Sequence, residues 1–155
     1  MAKRKITWDE HRGAAVNARR VLPVLAADYF AEVRHFLTEP REPAELHRMR
    51  LASKRLRYTL ELFRPCYGPG LEQRLDALGK LQDLLGGVND AVASAELLGK
   101  SVDRKARRFL RERAVEKAAE FRKHWKENFD ADGREKWWTD YLKQNARPPA
   151  RPKRD

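Results

Sequence analysis

The residues best equipped for chemistry in this chain are cations. His47, Arg50, Lys54 and Arg57 recur at helical spacing, with Tyr58 beside them and Arg55 and Arg48 flanking. Residues three and four apart on a helix are neighbours, and like charges there cost roughly 0.2–0.5 kcal/mol per pair. None of His47, Arg50 or Lys54 has an acid at that spacing. Only Arg57 does, in Glu61. A cationic stripe without counter-charges on its own helix calls for anions from outside. Arg offers a planar fork to two oxygens of one phosphate, Lys a point charge, and Tyr a hydroxyl.

The segment that carries the stripe, residues 44–63, contains no Gly and no Pro and follows Pro43. It is rich in Leu, Met, Ala, Arg and Lys, which favour helix. At about 100° per residue, Met49, Ala52, Leu56, Leu60 and Phe63 gather on the face opposite the cations. One side is built for burial and the other for an anion.

Other candidate chemistries are weaker. Asp83 and Asp90 are read as caps or as orienters of the cations, with general acid and metal-ligand roles less favoured. His11, His35 and His124 share no ligand spacing, so no metal and no cofactor are expected. Gly86-Gly87 lacks the Gly-Lys-Ser/Thr of a phosphate loop. Trp125, Trp137 and Trp138 suit core and end-cap positions. Tyr58 alone interrupts the basic stripe, whereas single-strand nucleic-acid binders interleave several aromatics.

The 155 residues suffice for one domain with a core. A formal net charge of +11 and a pI near 10.1 point to a polyanionic partner. Nucleic acid, an anionic membrane surface and inorganic polyphosphate all satisfy that condition. The single cysteine, Cys66, fits a reducing cytoplasm, and neither a signal peptide nor a membrane span is apparent.

Periodicity sets the elements that must hold the stripe. Thr7 and Glu10 form a capping-box pattern for a first helix, which continues with a kink through Pro23 and stops near Thr38. The central helix follows. Cys66 to Gly70 makes a turn, a third helix leads to a break at Gly86-Gly87, and 91–98 forms a short helix. A last long helix covers 103–129, with Ala106, Phe109, Leu110, Ala114, Phe121 and Trp125 inward, and the two tryptophans fold back over the end. The expected fold is all-α, an antiparallel four-helix bundle over 1–138. The Pro/Arg/Lys-rich tail, 139–155, is expected to stay disordered.

The pattern His47-x-x-Arg50-x-x-x-Lys54-Arg55-Leu56-Arg57-Tyr58, followed by Leu81-Gln82-Asp83-x-Leu85-Gly86-x-x-Asn89-Asp90, resembles the CHAD family (conserved histidine α-helical domain) over 46–98. The resemblance implies a polyphosphate-binding helical domain found at polyphosphate granules. It implies a site made of His47, Arg50, Lys54, Arg55, Arg57 and Tyr58, supported by Gln82, Asp83, Asn89 and Asp90. Family members resemble two four-helix units joined by a pseudo-twofold. This chain has one motif set and one unit's length, so the resemblance implies a homodimer. It implies binding and no catalysis, because the triphosphatase segment often joined to the family has no counterpart before Trp8.

Such a ligand fits the stripe. Arg50, Lys54 and Arg57 repeat once per turn, about 5 Å, close to the reach between every second phosphate of a chain. Protonation of His47 would add a charge to the row. The alternative is a basic helical nucleic-acid-binding protein that uses the tail from Arg147 to Arg154.

Overall fold

The computed structural model of the chain describes residues 6–38, 43–99 and 103–150. They form five helices: α1 (Ala14–Thr38), α2 (Pro43–Leu62), α3 (Pro69–Leu98), α4 (Arg104–Asn128) and α5 (Arg134–Gln144), with a 3₁₀ turn at Arg64–Cys66. No strand occurs among the described residues, and none of their helices is long and apolar enough to cross a membrane. The connections at 39–42 and 100–102 lie outside them. Neighbouring helices run antiparallel. His124 of α4 bonds the Ala77 carbonyl while Lys117 lies against Gly87. Arg34 of α1 reaches Glu135, while Arg19 donates to the Ala146 carbonyl.

The first helix begins later than the capping-box pattern suggests. The buried side chain of Asn17 folds back on residues 9–13. Its amide accepts from Asp9 N–H at 2.9 Å and donates to the carbonyls of Asp9 (2.9 Å) and Arg12 (3.1 Å). These local bonds compete with helical pairing and hold residues 9–13 as a turn. Trp8 then stacks on Phe63, with ring centroids 5.3 Å apart. From Ala14 the helix runs on through Pro23.

The expected break at Gly86-Gly87 is absent, and α3 is continuous to Leu98. Two mid-helix glycines cost about 1 kcal/mol each. Burial of Leu84, Leu85, Val88 and Ala91 across that region outweighs this, at about 1.5–3 kcal/mol for each large side chain. Gly87 also gives α4 close approach, since an added Cβ would meet the Lys117 stem at 3.3 Å.

The core holds the inner face of α2 as read from the sequence, with Met49, Leu56 and Leu60 buried and Ala52 and Phe63 packed at its edge. Leu46 and Ser53 join it, and Ser53 shares a 2.6 Å hydrogen bond with Tyr29 of α1. Around Phe30, the rings of Trp125, Phe129 and Trp138 stack successively at 4.9 Å. Phe109, expected inside, is 62% exposed, because the N-terminal half of α4 turns Leu110 and Ala114 toward α3 instead.

The tail boundary also moves. Residues 139–144 are helical, and Leu142 and Ala146 are fully buried. Tyr67 donates to the Leu142 carbonyl at 2.7 Å, and Arg147 N–H to the Cys66 carbonyl at 2.8 Å. The packed domain therefore extends past 138 to Ala146. Residues 147–150 follow without regular secondary structure, and 151–155 lie outside the described residues.

Candidate anion-binding face of α2

The stripe of α2 lies outside the core as its spacing requires. His47, Lys54 and Arg55 are exposed, Arg50 and Arg57 are half-buried, and Tyr58 is 50% exposed. The inner side of the helix is locked by Leu46, Met49, Ser53, Leu56 and Leu60, so the cations stand on a fixed rail. His47, Arg50, Lys54 and Arg55 make no ion pair among the described residues. The Lys54 ammonium lies 5.7 Å from the centroid of the Tyr58 ring, which is cation–π range.

Arg57 is the one cation of the stripe held on both sides. Its Nε donates to Glu61 at 3.1 Å and a terminal nitrogen to the Gln82 side-chain oxygen at 3.4 Å. The guanidinium lies over Gly79, 3.7 Å from where a Cβ would stand. The helix with the second motif is thus in register with the stripe, and Gln82 is the supporting residue that touches it. Asp83 and Asp90 are exposed and Asn89 is half-buried. None of the three hydrogen-bonds or ion-pairs with the stripe among the described residues.

The α3 face beside Arg57 has an open position. Gly86 is two turns beyond Gly79 and so lies on the same face. An added Cβ at Gly86 would meet nothing within 4 Å. Because α2 and α3 are antiparallel, two turns back from Arg57 brings Arg50 level with this position. Asp83 and Asp90 share that face at the i+4 positions from Gly79 and Gly86. The result is a shallow trough whose α2 wall carries cations without ion pairs among the described residues, and whose floor combines the two glycines with the exposed carboxylates of Asp83 and Asp90.

Sequence reasoning missed the most perturbed cation, Arg74. It is 2% exposed, and its guanidinium lies 3.4 Å from the Trp137 ring centroid and 3.9 Å from that of Tyr141. It donates to the carbonyls of Gly70 (2.7 Å) and Trp137 (2.6 Å), while its Nε has no partner. Burial lowers its pKa from 12.5 to about 10. A signal was present, since Arg74 falls between Leu71, Leu75 and Leu78 on the inward face of α3. It ties α3 to α5 and has no access to a ligand. Arg34 is a second such tie. Burial works against its charge, but hydrogen bonds with Glu135 and Asp130 prevail and raise its pKa.

No group of three or more His, Cys, Asp or Glu side chains suited to a metal occurs among the described residues. The geometry defines an all-helical protein with a cationic rail on one surface helix and an open glycine position beside it. The CHAD domain profile matches residues 3–99, and the chain belongs to this family, which is associated with polyphosphate. The match spans α1 to α3, hence both motif helices. α4 and α5 lie beyond it. No curated protein and no solved structure gives a significant match.

Proposed function

We propose that the chain binds inorganic polyphosphate along the α2 face, as a binding and targeting module and not as an enzyme. The observation that carries this reading is the juxtaposition of Arg50 and Lys54, neither in an ion pair among the described residues, with the open position at Gly86, in a chain of the CHAD family. A phosphate chain has negative charge at every unit and no bases. It needs regularly spaced cations and room for a flexible backbone, and the trough offers both. Arg57, held by Glu61 and Gln82, is the preorganised member, and His47, Arg55 and Tyr58 extend the row.

One motif set makes one rail. A homodimer that brings two α2 faces together supplies a second, and localisation at polyphosphate granules follows from affinity for the polymer. Mass by size exclusion, with and without polyphosphate, tests the dimer. The binding test is Lys54→Glu with Arg57→Glu, both on the outer side of α2. Retention of long-chain polyphosphate is expected to disappear while the helical spectrum stays intact and melting falls only slightly, through loss of the Arg57 bonds to Glu61 and Gln82. Wild-type affinity in the folded double variant would overturn the reading. Competition with DNA or RNA of equal charge decides specificity. Ready displacement of polyphosphate favours a general nucleic-acid-binding role instead.

A further inference from the structure

The N-terminal half of α4 carries a second concentration of positive charge, outside the family match. Between residues 104 and 113 there are six cations and one acid, Glu112. Glu112 pairs with Arg108 at 3.1 Å. Arg104, Arg107 and Arg111 make no ion pair among the described residues. They follow one another at i, i+3 and i+7, so they share a side of α4 and repel one another along it.

This part of the helix has α3 as its principal neighbour. Phe36, two residues from the end of α1, packs on Phe121, so α4 runs on past α1 toward its own N-terminus. The space left there is a groove of about 370 Å³, with Arg107 and Arg111 on one wall and Ala91, Val92, Ala95 and one acid, Glu96, of α3 on the other; Glu96 makes no ion pair with them among the described residues. The groove is separate from the α2 trough. Arg57 meets α3 at Gly79 and Gln82, whereas α4 meets it at Ala77 and Gly87, on another flank.

We propose that Arg104, Arg107 and Arg111 form a second phosphate-chain-binding surface, so that one protein molecule can hold two polyanion segments. The identity of the anion rests on the polyphosphate reading above; the existence of the surface does not. A base-free chain is favoured over RNA because no aromatic lies among these three arginines. Phe109, though exposed, falls about 140° around the helix from Arg104 and cannot stack over the row. Two surfaces on different flanks of α3 make the protein a cross-linker of long chains, and a short chain occupies either surface without bridging.

The test compares wild type, an Arg104→Gln/Arg107→Gln/Arg111→Gln variant and the α2 double variant. Each is titrated with tripolyphosphate and with long-chain polyphosphate at several salt concentrations. The three arginines are outside the core, so melting should be unchanged. As a check against misfolding, a triple Arg→Lys variant keeps the charges and should bind as wild type does. The α4 variant is expected to lose roughly tenfold in affinity for the long chain, in the middle of the range expected for three exposed charge contacts. Its salt slope should fall by about 2, at roughly 0.7 per phosphate contact. Turbidity of wild type with long chains should disappear in this variant. Wild-type affinity, slope and turbidity in the α4 variant would overturn the proposal. If the α2 variant alone binds like wild type, the α2 reading fails and the α4 surface stands. Preferential capture of RNA by the α4 surface would overturn the choice of a base-free chain.

Discussion

Gly86 separates what the trough does for binding from what its floor does for folding. Mid-helix, Ala is more favourable than Gly by about 0.5–1 kcal/mol, because Gly loses more backbone freedom on folding. That gain is realised only where the new methyl meets no atoms. At Gly86 a Cβ has nothing within 4 Å, and both helix neighbours continue the α3 hydrogen-bond ladder. Gly86→Ala should therefore stabilise the fold by about 0.5–1 kcal/mol. For a domain of this size that is a rise of about 1–4 °C in Tm, read by thermal and urea unfolding. Polyphosphate affinity should hardly change, since one methyl leaves the trough open. Gly86→Phe should keep most of the stability, because the ring projects into the same open space. It should also weaken long-chain binding at least as much as the loss of one cation, because it occupies the floor level with Arg50. A Gly86→Phe protein that melts normally and binds at wild-type strength would refute the trough, leaving the exposed cations to act without it. A lowered Tm for Gly86→Ala would refute the open space itself.

Gly70 is the opposite case. A Cβ there would stand 2.5 Å from the Tyr141 ring, which is itself held against Arg74 and Tyr67, so Gly70→Ala should cost about 1–3 kcal/mol and lower Tm by about 2–12 °C. Asp83→Asn with Asp90→Asn should tighten polyphosphate binding modestly, with a shallow stability change, because neither carboxylate holds a stripe cation; lost binding in a titration would show that they do orient it. Arg74→Met removes a buried cation whose folded pKa is depressed to about 10 from 12.5. Between those values the unfolded chain binds the extra proton, so this group's contribution to stability rises with pH. Burial raises the pKa of Tyr29 and Tyr67, which acts in the reverse sense over the alkaline range, so the informative quantity is the wild-type minus Arg74→Met difference in urea midpoint at pH 9 and at pH 11. The difference should shift in favour of wild type at the higher pH, and a constant difference would sink the assignment.

The α2 rail was legible because two independent patterns coincide in it. Its apolar face repeats at helical spacing, and its cations lack acids at the positions where a surface helix usually supplies them. Both are local, and the structure keeps both. The errors came from places where distant atoms decide. Thr7 and Glu10 have the right types for a cap, but Asn17 offers residues 9–13 a better set of bonds. Gly86-Gly87 reads as a break, yet burial on the opposite face of α3 carries the helix through. Phe109 sits on the inward period of α4, but no element among the described residues covers it there. Residues after 138 look like a basic tail until Tyr67 and Cys66 meet them from the other end of the chain. The contact between Gln82 and Arg57 falls within the family motif, whereas the lack of contact between the stripe and Asp83, Asn89 and Asp90 among the described residues depended on side-chain geometry alone.

Charge segregation links fold and function in this molecule. The acids are not scattered evenly. Asp130, Asp132, Glu135 and Asp140 line a groove between α1 and the α4–α5 corner, where Arg34 reaches Asp130 at 2.8 Å and Glu135 at 2.7 Å. Asp130 and Glu135 serve the closure of the bundle, far along the chain from α2. Among the described residues, the α2 face has Glu61 as its one paired acid, and of the arginines that begin α4 only Arg108 is paired, with Glu112. Had Asp130 and Glu135 changed places with His47 and Tyr58, three residues before Arg50 and four after Lys54, the net charge would be the same and both cations would have an acid at helical spacing. The positive field therefore comes from the placement of acids as much as from the number of cations. Adding acid to α2 at an outward position, as in Leu51→Glu, should thus reduce binding, by lowering the field of the face and by pairing with its neighbours Arg55 and Arg48. It should do so most at low salt, where fields from exposed charges reach about 10 Å or more. Unchanged affinity at low ionic strength would mean that the anion is held by individual contacts and not by the field of the face.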